Sequence, residues 1–311
     1  MTRVLVTGAA GRVGLAVLAE LRHRGIEITG LVLSTSDEGT PGETASHGTV
    51  SQEAVSEEAT LAGSGADRVV VGDARDVGAV REALRDVDAV IHLAAIPSPE
   101  LATPEEVFCG NTAATFTVLE QAAMAGIGRS VIASSLSVTG LPFARRSLEP
   151  PYVPLDEAVP LQVEDPYALS KQVDELTAVM MWRRHGLSVV ALRFPFLGDP
   201  EERLPWRAEQ FARDPGIGVR DLWSYLDYRD AARACLAALD EAPAGCHVVG
   251  LAAPVTLCGY PTEYLLDTYL PGVPRRTWFA GRAAPFDLSR AKDLLRFDPV
   301  HLWPVEERSA P

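Results

Sequence analysis

Residues 3–14 read RVLVTGAAGRVG. Arg3 to Thr7 is a short, apolar, β-branched run, as a buried strand requires. Gly8, Gly11 and Gly14 follow at once, and VGLAVLAELRHRG then shows helical spacing and stops at Gly25. A second strand is predicted over Ile26 to Leu33, which completes a βαβ opening within about 30 residues. In that setting the glycines permit a tight turn, close approach of backbone to a pyrophosphate, and close packing of helix on strand. The helix start at Arg12, Val13 and Gly14 offers unpaired N–H groups and a positive dipole end to phosphates. Gly8, Gly11, Arg12, Val13 and Gly14 are therefore candidate dinucleotide contacts.

The end of the second strand bears on which dinucleotide is bound. An acidic side chain there would hold a ribose 2′-hydroxyl, and an arginine would accept a 2′-phosphate. Val32, Leu33 and Ser34 provide neither. Arg12 in the glycine turn and the hydroxyls of Ser34 and Thr35 would suit a 2′-phosphate, which tips NAD(P) binding slightly toward NADP.

Residues 34–66 break the pattern: they hold six acidic residues and no Lys or Arg. They read as an acidic surface insertion with a short helix near Gln52 to Ala62. The rhythm then resumes. Strands are predicted at Arg68 to Val71, Ala89 to Ala94, Ser130 to Ser134 and Ser188 to Phe194. Helices are predicted at Val77 to Arg85, Thr103 to Ala125 and Asp165 to His185. Such alternation implies an α/β fold, a Rossmann-type doubly wound parallel sheet covered on both faces. After Phe194 the elements shorten and Pro and Gly become frequent. A helix at Tyr228 to Leu239, a strand at Cys246 to Val249, and helices at Pro261 to Tyr269 and Leu288 to Leu295 are expected. Residues 1–194 thus form the dinucleotide-binding domain, and 195–311 a small C-terminal substrate-covering region interleaved with it.

With 47% hydrophobic residues the chain easily fills a core, and its net charge of −14 disfavours the polyanions nucleic acid and anionic membrane as partners. Cys109, Cys235, Cys246 and Cys258 form no CxxC pair and have no histidine cluster beside them. They read as buried, reduced thiols, and no metal site is expected. A strand starting at Arg3 leaves no room for a signal peptide, and no apolar run approaches the ~20 residues that span a bilayer. A cytoplasmic protein is expected.

Residues 165–171 read DPYALSK. Asp165 is a plausible N-cap with Pro166 at the first helical position, so Tyr167 and Lys171 fall at i and i+4 on one helix face. A phenol titrates near 10 and is a poor base at neutral pH, but a neighbouring ammonium favours the phenolate. Such a tyrosine passes a proton to or from a substrate oxygen while hydride moves to or from a nicotinamide. By itself Tyr-x-x-x-Lys is a common solvated helix face. It gains weight from its place after the fifth predicted strand.

These residues resemble the extended short-chain dehydrogenase/reductase family, the group that contains sugar epimerases, dehydratases and uronate dehydrogenases. The resemblance runs through TGAAGRVG, GDARD (72–76), HLAA (92–95), Asn111, ASSLSVTG (133–140), YALSK, RFPFLG (193–198), YLDYRDAA (225–232) and SRAKDLL (289–295). It implies that Asp73 and Ala74 border the adenine and that Leu93, Ala94 and Ala95 line the cofactor cleft. Ser134, Tyr167 and Lys171 would also touch the cofactor, and Phe194 and Pro195 would lie beside the nicotinamide. Ser135 would be the catalytic hydroxyl on the substrate oxygen, Tyr167 the general acid/base, and Lys171 the residue that binds the ribose and tunes Tyr167. Asn111 would support the active-site backbone or a water. A homodimer is a family expectation.

Two departures bear on the substrate. Nucleotide-sugar enzymes of the family usually carry an Asn where this chain has Phe196, and a longer segment before YLDYRDAA; here only about thirty residues separate Pro195 from Asp227. Both point to a substrate smaller than a nucleotide sugar, in a compact build similar to uronate dehydrogenases. Arg203 would pair with a substrate carboxylate, or else be a surface Arg on the charged loop EER. Ser137, Thr139, Phe196, Trp223 and Tyr225 are further pocket candidates. The expected function is an NAD(P)-dependent oxidoreductase acting on a secondary alcohol, ketone or lactol of a small polar substrate. The alternatives are a sugar epimerase or dehydratase and a non-catalytic dinucleotide sensor.

Overall fold

The computed structural model describes residues 1–33 and 65–309. Ser34 and the predicted acidic insertion with its short helix therefore lie outside the described residues, apart from the last two positions of the insertion.

Strands β1 (Arg3–Thr7), β2 (Glu27–Val32), β3 (Arg68–Val71), β4 (Ala89–His92), β5 (Arg129–Ser135), β6 (Ser188–Phe194) and β9 (Cys246–Gly250) form one seven-stranded sheet. Its order is β3-β2-β1-β4-β5-β6-β9, and every pairing is parallel. The order reverses direction between β1 and β4, and the crevice beyond their carboxyl ends is where such sheets bind ligands. Thr7 is level with Leu31 on one side and His92 on the other, so the glycine turn leaves the sheet at that crevice.

Side-chain alternation sends β1 to both faces. Val4 and Val6 pack with α1 (Arg12–His23), α6 (Tyr228–Asp240) and α8 (Ser289–Leu295). Leu5 faces the other way, into a cluster with α2 (Val77–Ala83) and α3 (Pro104–Met124). Farther along that face, α3 and α4 (Pro166–His185) meet over Ile132, Val189 and Ala191. Burial on both faces explains the unbroken apolar runs of the central strands.

A second core lies apart from the sheet, around Leu155, Phe211, Trp223, Tyr225, Leu257, Leu266 and Phe279. It includes α5 (Arg203–Arg213), α7 (Thr262–Tyr269) and the loop that precedes α4. The N–H groups of Val153 and Leu155 in that loop donate to Pro274 and Pro285. Two short strands, β7 (Leu197–Gly198) and β8 (Leu226–Asp227), pair in parallel and carry the chain into this lobe and back.

Helix α5 corrects the reading of Arg203 as a loop residue: Glu201 and Glu202 lie in a turn, and the helix opens at Arg203. Pro205 and Pro215 look like breakers, yet Pro205 stands in the first turn, where a missing N–H costs nothing. Leu204 and Phe211, two turns apart, anchor the helix on the second core. The expectation of four buried thiols also needs correction: all four are free, but only Cys235 and Cys258 are buried, while Cys246 is half-buried and Cys109 on α3 is exposed. No described helix is long and apolar enough to cross a membrane.

Candidate active site

The glycine turn has no room for side chains at Gly8 and Gly14. Gly8 adopts φ +64°, and a Cβ there would sit 2.8 Å from the Ala94 nitrogen. A Cβ on Gly14 would run into the carbonyl oxygens of Gly8 and Ala9. Helix α1 begins at Gly11 with no side-chain cap and no acidic residue in its first turn. By contrast α2, α3, α4 and α6 each start under a side chain: Asp76, Thr103, Asp165 and Asp227. A helix start left without a side-chain cap beside a bare-backbone turn fits a diphosphate. Gly8, Gly11, Val13 and Gly14 form this cradle, while the Arg12 guanidinium faces Glu202, 3.8 Å away at the start of α5.

Across the crevice, Leu93, Ala94 and Ala95 continue from β4. The Leu93 and Ala94 N–H groups both donate to Thr7 Oγ1 at 3.2 Å, so the second wall is hung on the strand that makes the first. Asn111 on α3 secures the next step. Its Oδ1 accepts from Ile96 N at 2.8 Å, and its Nδ2 donates to Ile96 O and to Ser170 Oγ, both at 3.1 Å. Asn111 is thus a backbone clamp between the β4 loop and α4. Asp73 and Ala74 follow β3. The Asp73 carboxyl accepts from the Arg75 backbone and guanidinium, and that side-chain bond holds it below the usual carboxylate range. Ala74 is buried.

Helix α4 starts under Asp165, whose carboxylate accepts from Ala168 N at 2.8 Å. The Lys171 ammonium is 5.9 Å from the Tyr167 ring centroid, and Phe143 meets that ring edge-on at 6.0 Å. Tyr167 is 8% exposed and Lys171 4%. Helix α4 packs against the Leu136–Thr139 turn that follows Ser135. Ser135 Oγ accepts from Ser137 N at 3.1 Å and donates to Ser137 Oγ at 3.0 Å, so the two hydroxyls act as one unit. The Thr139 hydroxyl donates to Leu136 O within the same turn.

Other candidates face elsewhere. The Ser134 hydroxyl donates to Glu175 Oε1 at 2.6 Å, on the side of β5 opposite Ser135. Tyr225 is fully buried in the second core, with its oxygen accepting from Trp303 N at 3.0 Å. Trp223 is equally buried, and its Nε1 donates to Pro215 O. Both aromatics build the lobe and have no surface to offer a ligand. Phe194 and Pro195 are buried at the end of β6. Phe196 is half-buried, with the guanidinium carbons of Arg203 and Arg207 5.0 and 5.2 Å from its centroid. Arg203 Nε donates to Leu197 O, and Arg207 is paired with Asp221. Asp174 is a buried acid beside Lys171 that motif reading passed over.

Known proteins share this architecture. L-arabinose 1-dehydrogenase (NAD(P)+) of Haloferax volcanii is 31% identical over 208 residues, 65% of this chain and 70% of that protein. A UDP-glucose 4-epimerase of Azospirillum brasilense is 32% identical over 196 residues, 62% of this chain and 48% of that protein. Among solved structures, a short-chain dehydrogenase/reductase superfamily protein from Agrobacterium tumefaciens with bound NAD superposes with a TM-score of 0.66 at 25% identity, covering 96% of this chain and 93% of that one. The profile of the NAD dependent epimerase/dehydratase family matches residues 4–250, from β1 to the end of β9. The glycine cradle, the Tyr–Lys helix and the parallel sheet that joins them all fall inside that match, and the chain belongs to this family of extended short-chain dehydrogenases/reductases.

Proposed function

We propose that the chain is an NAD(P)-dependent oxidoreductase that acts at a secondary alcohol, ketone or lactol carbon of a small, sugar-like substrate. The observation that carries this reading is the Lys171 ammonium 5.9 Å from the Tyr167 ring, both buried, on the helix that borders the Ser135 turn. When bound, the nicotinamide supplies the two-electron acceptor or donor. In the oxidative direction Tyr167 takes the proton of the substrate hydroxyl as hydride leaves the same carbon. Ser135, already coupled to Ser137, holds the substrate oxygen. Lys171 binds the ribose and favours the phenolate. Gly8, Gly11, Val13 and Gly14 carry the diphosphate, and Leu93 to Ala95 form the facing wall.

A small substrate suits an apolar Phe196 directly after Pro195 and the short segment from there to Asp227. The name of the Haloferax relative, an arabinose 1-dehydrogenase, fits oxidation of a lactol to a lactone. β2 ends at Val32, and the slight lean toward NADP rests on Arg12 of the glycine turn, whose guanidinium is 3.8 Å from Glu202. The Azospirillum relative favours a second reading, a redox-neutral epimerase. We place the enzyme in the cytoplasm, where its free thiols stay reduced. Phe116 on α3 and Leu169 and Leu176 on α4 are exposed, and a homodimer would cover them.

A panel of aldoses, uronic acids and polyols with NAD+ and NADP+, read at the reduced-nicotinamide absorbance, tests the proposal. Net reduction with one small sugar is expected. Conversion of a nucleotide sugar with no net absorbance change would favour the epimerase, and no turnover of any sugar would end the oxidoreductase reading.

A further inference from the structure

Lys171 and Asp174 stand one turn apart on α4 and are 4% and 1% exposed, with Nζ 3.3 Å from Oδ2. The groups that face this pair come from three elements. Helix α4 itself brings Tyr167 and Glu175, but both oxygens of Glu175 are bonded to Arg193 of β6, at 2.8 Å each. Strand β4 brings His92, whose ring bridges the hydroxyls of Thr7 and Thr115 and which burial keeps neutral. Helix α3 brings Thr115. Burial pushes the Asp174 carboxyl above its ordinary range, and the Lys171 charge, followed by the Thr115 hydroxyl, acts against that rise. Among the described residues, Asp174 is therefore the carboxyl within reach of Lys171 that is not already committed to another cation.

A lysine taken out of water is driven toward the neutral amine. A neutral Lys171 would neither favour a phenolate nor bind a ribose by charge. We infer that Asp174 is a positioning residue, the counter-ion that keeps the buried Lys171 an ammonium and holds it against the Tyr167 face of α4. The inference rests on the assignment of Tyr167 as acid/base. Asp174 acts only through Lys171. A purely structural buried pair is replaceable by apolar side chains with little loss of stability, whereas this one supplies a cation that the site uses.

The chain contains only two lysines, Lys171 and Lys292, and Lys292 is exposed on α8. Lysine labelled with carbon-13 at Cε therefore gives two NMR signals, with Lys292 as the internal reference. In the native protein the Lys171 signal should hold its ammonium position at pH 7. Asp174→Asn should move the Lys171 titration down by about one pH unit or more, leaving Lys292 in place. In Asp174→Asn, dinucleotide affinity one pH unit above that lowered midpoint should be about tenfold below the same variant's affinity well below the midpoint, because only about a tenth of Lys171 is then still an ammonium. The alkaline limit of turnover should move with the NMR value, and Asp174→Glu should recover all three.

A neutral-amine Lys171 in the native protein at pH 7, or an unmoved titration in Asp174→Asn, overturns the proposal. If Asp174→Asn does not fold, Asp174→Ser, which leaves room for water, is read in the same way. The native spectrum needs no variant and decides the charge state alone. Full turnover by Tyr167→Phe would instead remove the acid/base assignment, while the lysine titration would still report on Asp174, so the two failures are separable.

Discussion

The hydroxyl of Thr7 lies 2.7 Å from Nδ1 of His92 and fastens β1, which launches the glycine turn, to its neighbour β4. On the far side of the ring, Nε2 meets Thr115 Oγ1 of α3 at 3.2 Å. A neutral imidazole, one nitrogen donating and the other accepting, satisfies both hydroxyls.

That arrangement predicts an acid-sensitive fold. Burial first, and then the charge of Lys171, push the His92 pKa down to about 3 from 6.5. The unfolded chain thus takes up this proton before the folded one does. The stability involved is whole above pH 6.5 and drains away as pH falls toward 3. The slope is about 1.4 kcal/mol per pH unit. His92→Gln keeps a donor and an acceptor but does not titrate. In urea melts, the advantage of the native protein over His92→Gln at pH 7.5 should shrink by about 2 kcal/mol at pH 5. An equal gap at both pH values would show that His92 does not contribute in this way.

Gly14→Ala should cost both fold and ligand. Its Cβ would run into backbone, the oxygens of Gly8 and Ala9, which no rotamer can move aside. The turn must open, and the N–H groups at the start of α1 then lose their aim. Dinucleotide binding, followed by quenching of intrinsic fluorescence, should weaken by at least ~100-fold, with a lower Tm. Gly25→Ala is the control: a Cβ there meets nothing within 4 Å, and its φ of +67° costs roughly 1 kcal/mol of stability with binding intact. Equal binding by the two variants would mean that the cradle does not hold the dinucleotide.

Behind the candidate site, Arg193 and Glu175 form a buried two-pronged pair with bonds of 2.8 Å, and Ser134 donates to the same carboxylate. Arg193→Met should destabilise the fold by about 3–5 kcal/mol, because it strands a buried carboxylate. Adding Glu175→Leu should return most of that loss. Denaturant midpoints of the two variants measure both effects. A double variant no more stable than the single one would mean that shape, and not charge pairing, holds this region.

Legibility followed the physics of each element. Continuous apolar strands, the glycine turn and the Asp165 cap are local signals, and they placed β1 to β6 and α4 to within a few residues. The second lobe has no such signals. Its helix α5 carries two prolines at its edges and owes its burial to Phe211 meeting a core assembled from distant segments. Trp223 and Tyr225 look like pocket aromatics in a motif, yet they point into that core. That Ser134 and Ser135 face opposite ways follows from strand alternation, and the Ser134 hydroxyl is spent on Glu175. The i+3 spacing of Asp174 from Lys171 was also visible; that both are buried was not, because burial depends on β4 and α3.

Removal of one oxygen tests the chemistry directly. Tyr167→Phe keeps the ring against Phe143 and Lys171, so Tm and dinucleotide affinity should stay close to native. Without a hydroxyl to exchange the substrate proton, turnover should fall by ~100-fold or more. Lys171→Ala should lower turnover and also weaken dinucleotide binding, because it removes an ammonium donor proposed to hold the ribose hydroxyls and to favour the phenolate. The contrast between the variants carries the information. Turnover within threefold of native in Tyr167→Phe would exclude the phenol as proton carrier, whereas a Lys171→Ala variant with unchanged affinity and rate would leave the ammonium without a function.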